Sequence, residues 1–337
     1  MLFELPRFEH IDAKDVQEAV SCLHRYGEKA KVIAGATDLL SLMKDRIEGP
    51  ELKVPEVLVN IKNIPAMTRI TFDEHTGLKV GAAVTLSQLA TSDVISQRFK
   101  MLSQAALQVG TTQLRNMGTV GGNVCQRPRC LYFRHPHFVC FKKGGATCYA
   151  AAGEHRFYHA IMKKGKCVMA HPSDMAPALV ALKAKAIIAY PEGERKVPFE
   201  AFFSGPDGLG ETILKPDEFV VAVEVPSRDG KARQLFLKHR IRHAADFALS
   251  SVAVAAQTSN GVCEEIRVVL GGVASFPYVA AVAEEMIRGR RLDERLISDA
   301  AEASVIEARP LTMNGYKVDL TKALVRRVLT AIAQGSG

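Results

Sequence analysis

Four cysteines in the middle of the chain, Cys130, Cys140, Cys148 and Cys167, follow the spacing C-x9-C-x7-C-x18-C, with Cys125 five residues upstream of the first. The residues between them, LYFRHPHFV, FKKGGAT and YAAAGEHRFYHAIMKKGK, carry glycine, proline and charge with little periodicity. The segment therefore reads as a long loop wrapped around something, and a bound metal centre is a physical reason for such a loop inside a folded domain. Structural zinc sites favour ligand pairs roughly two to four residues apart, and this set has none, although His135, His137, His155 and His159 stand nearby. An iron–sulfur cluster is larger than one ion and accepts wide, unequal cysteine intervals. Cluster, zinc and plain structural thiols all stay open on the residues alone, with disulfides disfavoured in a reducing compartment. Arg129, Lys142 and Lys143 are expected to offset the charge of the thiolates.

Two glycine-bearing turns offer a second kind of chemistry. Lys31 to Ala34 is a short apolar strand that breaks at Gly35-Ala36-Thr37-Asp38, and Leu39 to Met43 continues as a helix. A strand–turn–helix of this kind gathers backbone N–H groups and a helix N-terminus at one point, which suits a diphosphate, though a plain connecting turn also explains it. About eighty residues later the run Arg115 to Asn123 has three glycines in five positions, Gly118, Gly121 and Gly122. They allow positive φ or close approach of another molecule, and Thr119 and Asn123 can bond phosphate or ribose oxygens. Two such turns in one chain point to a dinucleotide. Ser173 and Asp174, just ahead of a helix from Ala176 to Leu182, read as capping residues.

The elements that must position these residues alternate between helix and strand. An amphipathic helix runs from Val16 to Gly27, and strands are expected at Val57–Ile61, Arg69–Phe72 and Leu78–Ala82, with helices from Thr85 and from Met101 to Gln108. Strands follow at Ala186–Tyr190 and Asp217–Pro226, with a flexible loop at Gly205–Gly210 between them and a domain boundary at Ser227–Ala232. Beyond it come strands at Gln234–Lys238, Ser250–Gln257 and Ile266–Leu270, and helices at Val279–Ile287 and Leu320–Ile332. This last third holds no nucleophile–base pair or ligand set. With 337 residues, 47% hydrophobic and 24% charged, the chain has the composition of soluble globular protein with two or three domains. No apolar run reaches membrane-spanning length and the N-terminus lacks a basic-then-apolar signal, so a cytoplasmic protein is expected. The net charge of +8 is dispersed, and its densest clusters, Arg288–Arg291 and Arg326-Arg327, lack interleaved aromatics, which argues against nucleic acid. Cys22 and Cys263 are expected to be buried free thiols.

The stretches KVIAGATDLL, TVGGNVCQRPRC, HPSDMAPAL, EFVVAVEVP and FLKHRIRHAADFALSSVAVA together resemble the FAD-binding medium subunit of the molybdenum hydroxylases, the family of xanthine dehydrogenase and carbon monoxide dehydrogenase. The resemblance spans nearly the whole chain. It implies an α+β protein: a two-lobed FAD-binding domain of the vanillyl-alcohol-oxidase (PCMH) type over residues 1–228, then a C-terminal flavoprotein domain over 233–337. The lobes would be about 1–55 and 56–228, with an inserted loop at about 124–168. It assigns Val32, Ile33, Ala34, Gly35, Ala36, Thr37, Asp38 and Leu39 to the flavin diphosphate and Thr111, Gly118, Thr119, Gly122 and Asn123 to a second FAD loop. Asp174, Val220 and Lys238 match positions that approach the ribityl chain or isoalloxazine. The usual glycine pair of the first turn is Gly35-Ala36 here, and alanine tolerates fewer backbone conformations.

Members that carry the cysteine loop are similar to the FAD subunits of periplasmic aldehyde oxidoreductase and 4-hydroxybenzoyl-CoA reductase, in which the loop binds a [4Fe-4S] cluster. QRPRC and KCVMAHPSDMA are similar to the aldehyde-oxidoreductase form, with Cys130, Cys140, Cys148 and Cys167 at the ligand positions. What this implies is an electron-transfer subunit. Electrons leaving a substrate at the molybdenum cofactor of a large subunit would pass two [2Fe-2S] clusters of a small subunit, reach FAD here and leave to an external acceptor. The alternatives are a 4-hydroxybenzoyl-CoA reductase- or xanthine dehydrogenase-like complex, a self-contained FAD oxidase of the same fold, and a zinc-binding assembly protein. Export with a signal-bearing partner stays open.

Overall fold

The computed structural model describes residues 4–162, 165–204, 209–227 and 232–335. Residues 205–208 of the expected loop and 228–231 of the expected boundary lie outside these. The chain begins with β1 (Glu9–Asp12), α1 (Val16–Tyr26), β2 (Ala30–Ile33), α2 (Leu39–Lys44) and β3 (Val57–Asn60). Asp15 caps α1 by accepting the Glu18 N–H at 2.8 Å, and Gly27 ends it at φ 56°, a left-handed conformation that costs glycine little. Ala19, Val20 and Leu23, at helical spacing, form its buried face. The three strands make a parallel sheet in the order β1-β3-β2.

The next stretch contains β4 (Ile70–Asp73), β5 (Gly77–Gly81), α3 (Leu86–Thr91), α4 (Asp93–Arg98), α5 (Lys100–Leu107), α6 (Thr112–Met117), α7 (Val120–Val124), α8 (Tyr149–Ala152) and α9 (Met175–Ala181). It continues through β6 (Lys185–Tyr190), β7 (Gly193–Pro198), α10 (Phe199–Phe202) and β8 (Phe219–Val225). Five strands form an antiparallel sheet in the order β4-β5-β8-β6-β7, so β8, apolar nearly throughout, takes the central place. α3 opens with a capping box in which Thr85 and Gln88 satisfy each other's backbone N–H groups. The glycine-rich run expected as a turn is instead the end of α6 and the body of α7. Gly121 is there for proximity: an added Cβ would sit 2.8 Å from that of Ala82.

The last third comprises β9 (Arg233–His239), β10 (Ser250–Ser259), β11 (Val262–Gly271), β12 (Tyr278–Val279), α11 (Ala281–Ile287), β13 (Arg290–Arg291), α12 (Glu294–Ala303) and α13 (Tyr316–Ala333). Its antiparallel sheet runs β12-β11-β10-β9, with β13 paired to β11. Successive side chains of a strand point to opposite faces, and β10 uses both. Val252, Val254 and Ala256 join a core with α11, α12 and α13, while Ala253 and Ala255 join the core of the preceding sheets. Of the two thiols expected to be buried, Cys263 is buried on β11 and Cys22 is only half-buried on α1. Among the described residues no helix is long and apolar enough to cross a membrane.

Lys317, at the start of α13, is fully buried and donates to the carbonyls of Phe157, His159 and Gly272 at 3.1, 2.9 and 2.6 Å. It pins the segment after Cys148 to the C-terminal unit. Burial pushes its pKa from 10.5 down to about 7. Between those values the unfolded chain holds a proton that the folded chain has lost, so this group makes stability rise with pH over that window. Lys317→Met is expected to abolish the rise. In urea titrations the stability difference between parent and variant should widen from pH 7 towards 10.5 by at most about 1.4 kcal/mol per pH unit. A constant difference would show that Lys317 does not titrate there.

Candidate functional site

A cavity of about 690 Å³ opens between the two N-terminal sheets. One wall is the continuous run from Lys31 to Leu39, at the end of β2 and the start of α2. The facing wall is Gly118, Thr119, Gly121, Gly122 and Asn123, anchored by Leu86 N–H to Gly118 O and Gly121 N–H to Ala82 O, both at 2.9 Å. The walls touch where they converge. A Cβ on Gly35 would lie 2.3 Å from Met117 O and 2.8 Å from Gly118 Cα, so only glycine lets the loops meet. Ala36 beside it stands at φ 60°, the left-handed region that costs a side-chain-bearing residue roughly 1–2 kcal/mol. Val220 of β8 lines the floor, and Ala245 and Phe247 close the cavity from the C-terminal unit. A volume in the range of about 300–1,000 Å³, with main-chain turns at one end and apolar walls at the other, suits FAD.

Asp38 is the N-terminal flanking residue of α2, yet its carboxylate caps nothing. It accepts the Arg127 N–H at 2.8 Å and the Arg134 Nη2 at 2.6 Å, and pairs with Arg129. Burial works to raise its pKa, but the two guanidiniums and the Arg127 N–H prevail and hold it below the usual carboxylate range. Arg129 lies over the Phe247 ring, its Cζ 4.5 Å from the centroid. It therefore serves the cavity wall, not the thiolates it was expected to neutralise. Glu211, also buried in the wall, pairs with Arg127 Nε at 2.7 Å and Lys142 Nζ at 2.8 Å.

Cys130, Cys140, Cys148 and Cys167 line a second, small cavity together with Tyr132, Phe133, Phe141, Lys142, Tyr149 and Ala150. Among the described residues no group of three or more His, Cys, Asp or Glu side chains is gathered tightly enough to hold a single metal ion. The sulfurs surround a space. Burial pushes Cys130 up to about 11 and Cys167 up to about 12, against the backbone N–H groups of Phe133 and Tyr132 on the first and against Lys142 and the Met169 N–H on the second. Lys143 is wholly buried here, its Nζ 2.6 Å from His135 O. The neighbouring histidines are used otherwise: His155 Nε2 receives the Met313 N–H at 3.0 Å, and burial, first of all, takes His159 down to about 4.

Residues 6–228 match the family described as the FAD binding domain in molybdopterin dehydrogenase, and residues 236–332 match the CO dehydrogenase flavoprotein C-terminal domain. The chain belongs to the FAD-binding medium subunits of the molybdenum hydroxylases. This medium subunit is 34% identical over 305 residues to the aldehyde oxidoreductase FAD-binding subunit PaoB of Escherichia coli, covering 89% of this chain and 90% of that one. It is 27% identical over 331 residues to the carbon monoxide dehydrogenase medium chain of Hydrogenophaga pseudoflava, covering 97% of each. The fold agrees with a solved structure of the Hydrogenophaga pseudoflava carbon monoxide dehydrogenase that lacks the Mo-pyranopterin moiety, at a TM-score of 0.79 and 26% identity over 99% of both chains. Its relatives are oxidoreductase subunits, and it is one as well.

In the medium subunit, Val32, Ile33, Ala34, Gly35, Ala36, Thr37, Asp38, Leu39, Gly118, Thr119, Gly122, Asn123 and Val220 all line this same cavity. Thr111, Asp174 and Lys238 do not line it. Thr111 caps α6 through the Leu114 N–H at 3.3 Å. Asp174 and Lys238 form a buried ion pair at 2.6 Å, with Lys238 Nζ also donating to Gln108 O at 3.0 Å. Of the two expected caps, Ser173 does accept the Ala176 N–H at 3.1 Å, while Asp174 makes no cap. Sequence reasoning missed Arg127, Glu211, Leu214, Ala245 and Phe247 in the wall. The signals were QRPRC for Arg127 and the stretch FLKHRIRHAADFALSSVAVA for Ala245 and Phe247.

Gly35→Ala is expected to force the two loops apart and to yield protein with well under a tenth of the parent's flavin absorbance per chain. Ala36→Gly should keep its flavin and gain about 1 kcal/mol in urea unfolding, the relief of a left-handed alanine less the added freedom of the unfolded chain. A flavin-replete Gly35→Ala protein would show that the close contact is dispensable.

Proposed function

We propose that this medium subunit binds FAD between its two N-terminal lobes and a [4Fe-4S] cluster in the cysteine cage, and serves as the electron-transfer subunit of an aldehyde-oxidising molybdenum hydroxylase. In this reading residues 1–228 hold both groups and 233–337 close the flavin cavity. A large molybdenum-cofactor subunit and a small subunit with two [2Fe-2S] clusters deliver electrons, and an external acceptor removes them. The observation that carries it is the convergence of Cys130, Cys140, Cys148 and Cys167 on one cavity next to the flavin cavity. FAD would supply exchange of electrons singly with iron–sulfur groups and in pairs with an acceptor.

The chain's own residues support each part. Gly35 lets the two walls of the cradle meet, and Thr119 and Asn123 belong to the facing wall. Cys130 and Cys140 are each 8% exposed, so water has little access to these two sulfurs, and Cys148 and Cys167 are half-buried. Lys142 and Lys143, both buried, counter the charge that four thiolates and a cluster bring. Structural zinc sites favour ligand pairs roughly two to four residues apart, and these cysteines stand ten, eight and nineteen positions apart. The aldehyde assignment rests on the relative whose name carries that activity.

Oxygen-free purification should give one FAD and about four iron atoms per chain, with broad visible absorption beneath the flavin bands. Cys130→Ser, Cys140→Ser, Cys148→Ser and Cys167→Ser should each lose most of the iron, and Cys125→Ser should keep it. Stoichiometric zinc, or protein still colourless after reconstitution with flavin, iron and sulfide, would refute the assignment.

A further inference from the structure

Between the flavin cavity and the cysteine cage lies one buried ion pair whose two ends belong to different sites. Lys142 lines the cysteine cavity and Glu211 lines the flavin cavity. Their side chains are 1% and 7% exposed, and Nζ and Oε1 are 2.8 Å apart. Lys142 Nζ also donates to Leu209 O, and Glu211 is braced from the flavin side by Arg127 Nε at 2.7 Å. Lys142 follows Cys140 by two positions, while Glu211 comes from a distant part of the chain, so the fold brings them together. Stability is a poor reason for such a pair, because desolvating two charges consumes most of what their attraction returns, and apolar residues of equal volume would serve as well. Buried charges are, however, weakly screened, and they act on any electron added nearby.

We infer that the Lys142–Glu211 pair is a fixed-charge bridge that separates the reduction potentials of the two groups, favouring an electron on the cysteine-cage side over the flavin side. The inference rests on the reading that both groups are present. The ammonium, adjoining the cage, stabilises added negative charge there. The carboxylate, in the flavin wall, offsets the Arg127 guanidinium 2.7 Å away, which would otherwise favour an added electron at the flavin. Both are positioning residues: neither transfers an electron, and each acts through its charge. An electron passing from flavin to cage moves away from Glu211 and towards Lys142, so the pair biases this subunit to store electrons at the cage until an acceptor draws them off through the flavin.

The test is an anaerobic redox titration of the intact complex, with the flavin followed by absorbance and the cluster by electron paramagnetic resonance. Lys142→Met should lower the cluster potential by about 59 mV or more, a tenfold change for a one-electron couple. Glu211→Gln should raise the flavin potential, and Lys142→Arg should restore the parental values. Opposite signs for the two single variants are the signature of charge, because loosened packing would move both in the same direction. Where Lys142→Met loads no iron, Glu211→Gln alone decides: an unmoved flavin potential overturns the inference. Same-sign shifts, or potentials unchanged in iron-replete variants, also overturn it while leaving the two-group reading intact. Wild-type protein without iron would bring down that reading, and the inference with it.

Discussion

Two backbone segments that are far apart in sequence meet at the carboxylate of Asp38. It belongs to the turn that forms one wall of the flavin cavity, and it grips Arg129, Arg134 and the Arg127 N–H, all at the entrance to the cysteine loop. Charge-assisted bonds to guanidinium are among the stronger polar contacts, and burial makes them harder to replace with water. The same arginines then do further structural work: Arg129 lies over Phe247, and Arg127 lies with its Cζ 4.9 Å from the Phe133 ring. Without that carboxylate two largely buried cations would lack a counter-charge, a defect of about 3–5 kcal/mol in comparable pairs. Cradle, loop and C-terminal closure thus depend on one side chain.

The cysteine loop has little regular structure of its own, so its shape is imposed from both ends. Asp38 holds the start. Towards its end, Lys317 and Asn314 reach the carbonyls of Phe157, His159 and Ala160 from the C-terminal unit, and His155 receives the Met313 N–H. That unit is itself fastened by β10, whose alternate side chains enter two cores. The cage is held both by these neighbours and by hydrogen bonds of its own, among them Lys143 N–H to Cys140 O at 2.8 Å and Phe141 N–H to Thr147 O at 3.0 Å.

Local chemistry was what could be read ahead of the fold. The strand, turn and helix around Gly35 could be read from a short apolar run broken by glycine, and the two glycine-bearing stretches proved to be opposite walls of one space. β7 escaped notice because GERKVP is polar and mostly exposed, as an edge strand paired on one side can be, and α12 was passed over although Leu296, Ile297, Ala300 and Ala301 line one buried face. Asp174 looked like a cap since local pattern carries no trace of Lys238, sixty-four positions away. Arg129 was credited with the wrong neighbour for the same reason. Distances between residues remote in sequence decide burial and pairing, and these are set by the packing of whole elements.

The cavity's narrow end is lined by main chain at the point where Gly35 meets Met117 and Gly118. A surface made of peptide groups is blind to most changes of side-chain identity around it. Side chains around this end of the cavity can therefore change with little effect on its shape, provided that position 35 stays without a Cβ.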